Sequence, residues 1–198
     1  QVGSTLFWNN GFGEDDGPDV FACLGSFPKA TPENVARFGL PDNSWILFGA
    51  PTHPRSRGRL RLSGPSPTDP IRIEANALLH PDDLKSAISC VETMREIGNS
   101  AQLRPFVKRE VMPGDLAGAE LENYLRDAVT TYWHESGTAK MGRDRMSVVD
   151  GHLKVYGVDN LRVADASIMP RITSANTMAP CVVIGERAAQ FIRADHHR

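Results

Sequence analysis

Apolar and polar positions come in short blocks at the start of the chain and settle into helical period further on. Residues 1 to 45 are rich in Gly, Pro, Asp and Asn, with apolar pieces such as Val20-Phe21-Ala22-Cys23-Leu24 set between turn signals. That pattern predicts short strands joined by long loops. Glu14-Asp15-Asp16-Gly17-Pro18 reads as a solvated turn. A strand-prone piece runs from Trp45 to Ala50, and Arg59 and Arg61 alternate with Leu60 and Leu62. Period two predicts a half-buried strand with the arginines on one face. Pro70 to Ala75 reads as another strand. His80-Pro81-Asp82-Asp83-Leu84 then opens a helix, with His80 at its terminus and an acidic first turn. Leu84, Ala87, Ile88, Val91, Met94 and Ile97 recur near helical period, and Gly98-Asn99 marks the end.

Phe106 to Met112 reads as a strand or extended piece stopped by Pro113-Gly114. A second helix covers Glu120 to Thr130, with Leu121, Tyr124, Leu125 and Val129 on its apolar face and Glu122 spaced to pair with Arg126. Val148-Val149-Asp150 and Leu153 to Tyr156 flank a Gly151-His152 turn, a plausible hairpin with His152 exposed. Leu161 to Ala164 reads as a strand ending in Asp165. The last helix starts near Met178 and runs from Pro180 to Arg193, with Val182, Val183, Ile184, Ala188, Ala189 and Ile192 expected to be buried. The fold class that follows is α+β.

A chain of 198 residues, 40% hydrophobic and 23% charged, is long enough for one sizeable core or two small ones. A net charge of -2 argues against a general nucleic-acid binder, and the arginines from Arg55 to Arg61 lack the interleaved aromatics of a nucleic-acid surface. Cys23, Cys90 and Cys181 stand far apart without metal-ligand spacing, so they read as buried thiols and no metal site is assigned. No apolar run has the length of a membrane span, and no signal-peptide order opens the chain, so it reads as soluble with its compartment open. It begins at Gln1 rather than Met, which points to a segment upstream.

The chemistry concentrates in Tyr132-Trp133-His134-Glu135-Ser136-Gly137-Thr138-Ala139-Lys140-Met141-Gly142. An imidazole there stands beside an aromatic ring and ahead of a small-residue turn whose glycines permit close backbone approach. Imidazole, with an ordinary pKa of about 6.5, is a natural proton acceptor at working pH. The plain alternative is a hydrogen-bonded core histidine. Asn176 offers an amide that can donate or accept, or can cap the last helix. Asp165, after an apolar strand, can bind a ligand or cap a turn.

His-x-x-Gly-Thr-x-x-Met-Gly from His134, then Leu161-Arg162-Val163-Ala164-Asp165-Ala166-Ser167, Pro170 and Ser174-Ala175-Asn176-Thr177, resembles the C-terminal half of glucose-methanol-choline (GMC) flavin oxidoreductases, choline and alcohol dehydrogenases especially. The resemblance runs from about Ala50 to Ile192. It implies FAD as cofactor and alcohol oxidation, with hydride transfer from the CH–OH carbon to flavin N5. It implies His134 as the base taking the hydroxyl proton and Asn176 as the group holding the substrate oxygen. Trp133, Asp165, Ala166, Thr177 and Met178 are the implied cofactor-binding residues. The first turn of the last helix would favour the charge of a reduced flavin.

The family's Gly-x-Gly-x-x-Gly phosphate turn is missing here. The resemblance therefore implies a partner, an N-terminal FAD-binding half in the same polypeptide or a separate chain, and a large apolar interface with it. The implied architecture is an N-terminal segment at 1–14, a substrate-binding portion with an antiparallel sheet and helices at 15–130, and the His motif with the C-terminal part of the FAD domain at 131–198. The final strand and helix would complete a Rossmann-like domain. Two other readings stay open: a hydroxynitrile lyase-like relative that binds FAD without redox chemistry, and an inactive binding or structural fragment. Neither the particular alcohol nor the electron acceptor is legible.

Overall fold

The computed structural model describes residues 2–13 and 17–196, so the turn at Glu14, Asp15 and Asp16 lies outside the described residues. It is a mixed α/β structure with two small antiparallel sheets. The chain divides into two compact units, Gln1–Gly58 with Glu74–Thr130, and Arg59–Ile73 with Thr131–Arg198.

The first unit is built on a three-stranded sheet in the order β1 (Val2–Trp8), β2 (Val20–Gly25), β3 (Ile46–Pro51). Val20 to Cys23 of the central strand are all buried, Val20 at 0% exposure, because both neighbours and a covering helix shield them. A strand covered on both faces shows an unbroken apolar run rather than alternation. The covering helix, α2 (Pro81–Gly98), packs on β3 where Gly49 lies. A Cβ at Gly49 would stand 2.6 Å from Cys90 Sγ and 2.8 Å from Phe21 O, so glycine is what admits the helix. His80 caps α2, its Nδ1 accepting from Asp82 N at 3.2 Å, with Pro81 at the first helical position. At the other end Asn99 N donates to Arg95 O.

A buried carboxylate anchors α2 to the segment after β3. Asp83, 4% exposed, accepts from Arg55 N and Ser56 N, both at 2.7 Å, and from the Ser56 hydroxyl. Asp19 does the same for the turn before β2, accepting from Asn10 N, Phe12 N and Gly13 N. Helix α1 (Pro32–Phe38) is capped by Thr31, and its Phe38 ring meets Tyr124 of α3 (Gly118–Ala128) edge to face at 5.6 Å.

Three expectations fail in this unit. The stretch 1–45, read as short strands and long loops, holds helix α1, which the Thr31 cap and Pro32 open. Arg126 donates to Leu78 O at 3.0 Å and forms no ion pair with Glu122; a surface pair gains little net energy against the entropy of holding two long side chains together. Phe106 to Met112 finds no strand partner. A single 3-10 turn at Arg104–Phe106 precedes an irregular segment, which Arg95 holds through Glu110, Gly114 O and Leu116 O.

The second unit holds β4 (Arg59–Arg61) paired with β5 (Arg72–Glu74), and α4 (Met178–His196). Leu60, Leu62, Ile71 and Ile73 are exposed, so the half-buried face expected of this ribbon is uncovered in this chain. The core is Val149, Leu153, Ile168 and Ala188, with Met141, Val148, Val155, Val163, Ile184 and Phe191 against it. Ile184, Ala188 and Phe191 fall at i, i+4 and i+7, which places them on one helix face. Val182 and Val183, expected to be buried, are exposed because they lie off that face, and Ile192, one turn after Ala188 at the edge of the face, is exposed as well. The hairpin at 148–156 reduces to the single bridge Val149 to Val155, and the strand at 161–164 to the bridge Lys154 to Arg162. His152 is exposed as expected, and its ring stacks on Phe191 with centroids 4.9 Å apart.

Candidate active site

The His134 segment follows no ladder. It is strung along the 166–168 turn by Gly137 N to Ala166 O (3.2 Å), Ala139 N to Ser167 O (2.9 Å) and Met141 N to Ile168 O (2.7 Å). Gly137 has φ 84°, and a Cβ there would stand 3.1 Å from Met169 O. Both the handedness and the close approach call for glycine. Ahead of it Trp133 turns through a left-handed backbone, φ 60°, with its N–H donating to Thr131 Oγ1 at 2.9 Å. A bulky residue rarely adopts that conformation. The Thr131 hydroxyl in turn donates to Glu135 and holds that carboxyl below the usual carboxylate range.

This turn and the entry to α4 bring His134 to Asn176 and Thr177. The imidazole Nε2 lies 2.9 Å from the Asn176 amide nitrogen, and Nδ1 lies 3.0 Å from Thr177 Oγ1. Thr177 is buried, and its carbonyl accepts from Cys181 N at 3.0 Å, so α4 fixes its position. The Tyr132 ring stands edge-on to His134 at 5.3 Å. Asn176 faces solvent, as does Trp133 at 66% exposure.

Asp165 stands apart from this trio. Its carboxylate caps the Ala166–Ile168 turn, accepting from Ser167 N at 2.7 Å, and these bonds from Ser167 lower its pKa. It stays anionic at neutral pH and remains exposed, able to accept further hydrogen bonds. Ala166 contributes its carbonyl to Gly137 N, while Met178, the first residue of α4, is exposed.

An open depression of about 530 Å³ in the first unit, lined by Arg37, Phe38, Arg109 and Glu110 among others, holds none of these residues. No cluster of His, Cys, Asp and Glu suited to a metal occurs among the described residues. Cys23 and Cys90 are buried and Cys181 half-buried, with burial pushing the Cys90 thiol up to about 12.

The family profile described as GMC oxidoreductase matches residues 54–185, more than half of the chain. The chain belongs to the GMC oxidoreductase family. Among GMC relatives, it is 40% identical over 141 residues to an alcohol dehydrogenase (acceptor) of Pseudomonas putida, an alignment covering 70% of this chain and 26% of that protein. It is 35% identical over 204 residues to choline oxidase of Arthrobacter globiformis, covering 96% of this chain and 37% of that protein. The crystal structure of pyridoxine 4-oxidase from Mesorbium loti superposes with a TM-score of 0.85 at 32% identity, covering 98% of this chain and 38% of that one. The chain thus spans roughly a quarter to two-fifths of the length of these relatives and corresponds to their C-terminal part.

Sequence reasoning did not foresee the contact of Thr177 with His134 or the local bonds of Thr131. Thr177 stood in the motif, but only as a cofactor-edge residue; a Thr beside the amide was the available signal. Thr131 carried no signal at all, because its work is to bond Trp133 N and Glu135 locally.

Proposed function

We propose that this chain is the catalytic C-terminal portion of an FAD-dependent alcohol oxidase or dehydrogenase. The observation that carries the reading is the contact of His134 Nε2 with the Asn176 amide at 2.9 Å across 42 residues of sequence. An amide N–H donating to that nitrogen occupies the position a substrate hydroxyl would take. When an alcohol enters, Asn176 donates to its oxygen and His134 Nε2 accepts its proton. Losing the proton raises the electron density that drives hydride from the same carbon, so general-base action contributes about 10²- to 10⁴-fold.

Bound FAD supplies the hydride acceptor. The residues of this chain fit such a group: an anionic, exposed Asp165 to accept from hydroxyls, an exposed Trp133 ring, and the start of α4 at Met178. We assign Trp133, Asp165, Ala166, Thr177 and Met178 to its neighbourhood. The grip on its phosphates belongs to an N-terminal half, which would also cover Val182, Val183 and the β4–β5 ribbon and complete a Rossmann-like domain with the 161–165 segment and α4.

The test is anaerobic bleaching of the flavin by a panel of primary alcohols, in the polypeptide that carries this chain with its FAD-binding half. His134→Ala should retain FAD and slow bleaching by about a hundredfold or more. Bleaching at the unmodified rate would remove His134 from the chemistry, and cleavage of a cyanohydrin without bleaching would favour a non-redox relative.

A further inference from the structure

The two nitrogens of the His134 ring have different partners, and those partners decide which nitrogen carries the proton. The Asn176 NH₂ group can only donate, so Nε2 must present a lone pair to it at 2.9 Å. An imidazolium would set N–H against N–H at that point. That geometry fits a ring hydrogen on Nδ1, which faces Thr177 Oγ1 at 3.0 Å. Thr177 is 7% exposed, so water competes poorly for that bond. The residue is also held from behind by Cys181 N on its carbonyl, and a β-branched side chain has few rotamers to escape into.

We infer that Thr177 is a positioning residue: its buried hydroxyl accepts from Nδ1–H, locks His134 in that tautomer, and leaves Nε2 as the basic nitrogen turned toward Asn176 and the substrate oxygen. This role is additional to its place in the FAD neighbourhood. The inference rests on His134 as base for its consequence in catalysis, while the tautomer itself is a property of this chain. A neutral hydroxyl stabilises no imidazolium as a carboxylate does, so losing it costs less than the roughly 10⁴-fold seen when a triad aspartate is replaced and the histidine takes the wrong tautomer.

The test is long-range ¹H–¹⁵N correlation of the histidine-labelled complete flavoprotein, at a pH well above the ordinary imidazole pKa of about 6.5. The expected pattern is Nδ1–H for His134, kept in Thr177→Ser and shifted toward Nε2–H in Thr177→Val. In the complete flavoprotein Thr177→Val should slow anaerobic bleaching, measured per bound FAD, by about ten- to a hundredfold, and Thr177→Ser should restore most of it. An Nε2–H pattern in the unmodified protein would overturn the inference even if Thr177→Val failed to fold. So would a Thr177→Val protein with unchanged tautomer and rate. If the tautomer is as stated but His134→Ala bleaches normally, the role as base fails and the assignment of Thr177 to the ring stands.

Discussion

The two compact units solve the same problem with different means. In the first, a central strand buried on both faces is clamped between neighbours, and α2 lies against β3 at Gly49. Its buried carboxylates, Asp19 and Asp83, serve the architecture, with their recorded acceptor bonds directed to loop N–H groups or to Ser56. In the second, apart from the β4–β5 ribbon, isolated bridges and loop-to-loop hydrogen bonds stand in place of a ladder, and they bring together His134, Asn176 and Thr177. Reactive groups gather where the backbone is irregular, because a strand or helix presents side chains only at its own period. A left-handed Trp133 and a left-handed Gly137 on either side of His134 aim the imidazole in a way no regular element would.

If that division is right, damage should sort by unit. The largest effect falls on chemistry alone: His134→Ala abolishes most flavin reduction and leaves the melting temperature of the chain within a degree or two, since the ring is only half-buried. The next falls on stability alone. Asp83→Ala strands two backbone N–H groups and a hydroxyl, and should cost about 3 kcal/mol or more by denaturant midpoint without changing the site. A cost under about 0.5 kcal/mol would mean that the carboxylate is not the anchor described.

The smallest concerns Asp195 at the end of α4, which Lys154 and Arg162 hold at a pKa of about 2 against an ordinary 3.8. A depressed carboxylate contributes stability above its ordinary pKa and loses it as pH falls through about 2. Asp195→Asn should therefore lower the melting temperature slightly at neutral pH, with the difference closing toward pH 2. A difference that persisted unchanged into strong acid would point to packing instead of charge.

Helix α2 was legible because its ends carry local chemistry: His80-Pro81 opens it and Gly98-Asn99 closes it with no reference to the rest of the chain, whereas α1 lay unread in a stretch expected to be strands and loops. Alternation at Arg59 to Leu62 was legible as a strand, yet it says which residues share a face and nothing about what covers that face. The Glu122 and Arg126 spacing permitted a pair, but the nearby Leu78 carbonyl belongs to a segment 48 residues away. The same limit applies at the site. No spacing rule joins His134 to Asn176, and their joint appearance in an ordered set of motifs suggested the pair before any geometry did. Which ring nitrogen meets Thr177 depends on a backbone turn at Trp133 that no propensity favours.

The central claim is that His134 and Asn176 act on one oxygen. A double-mutant cycle on anaerobic flavin bleaching tests it directly, using His134→Ala, Asn176→Ala and the pair. Groups that share one substrate atom lose strongly less than the product of their separate losses, so the double variant should be little slower than His134→Ala alone. Losses that simply multiply would show that the imidazole and the amide work at separate places, and would contradict the account.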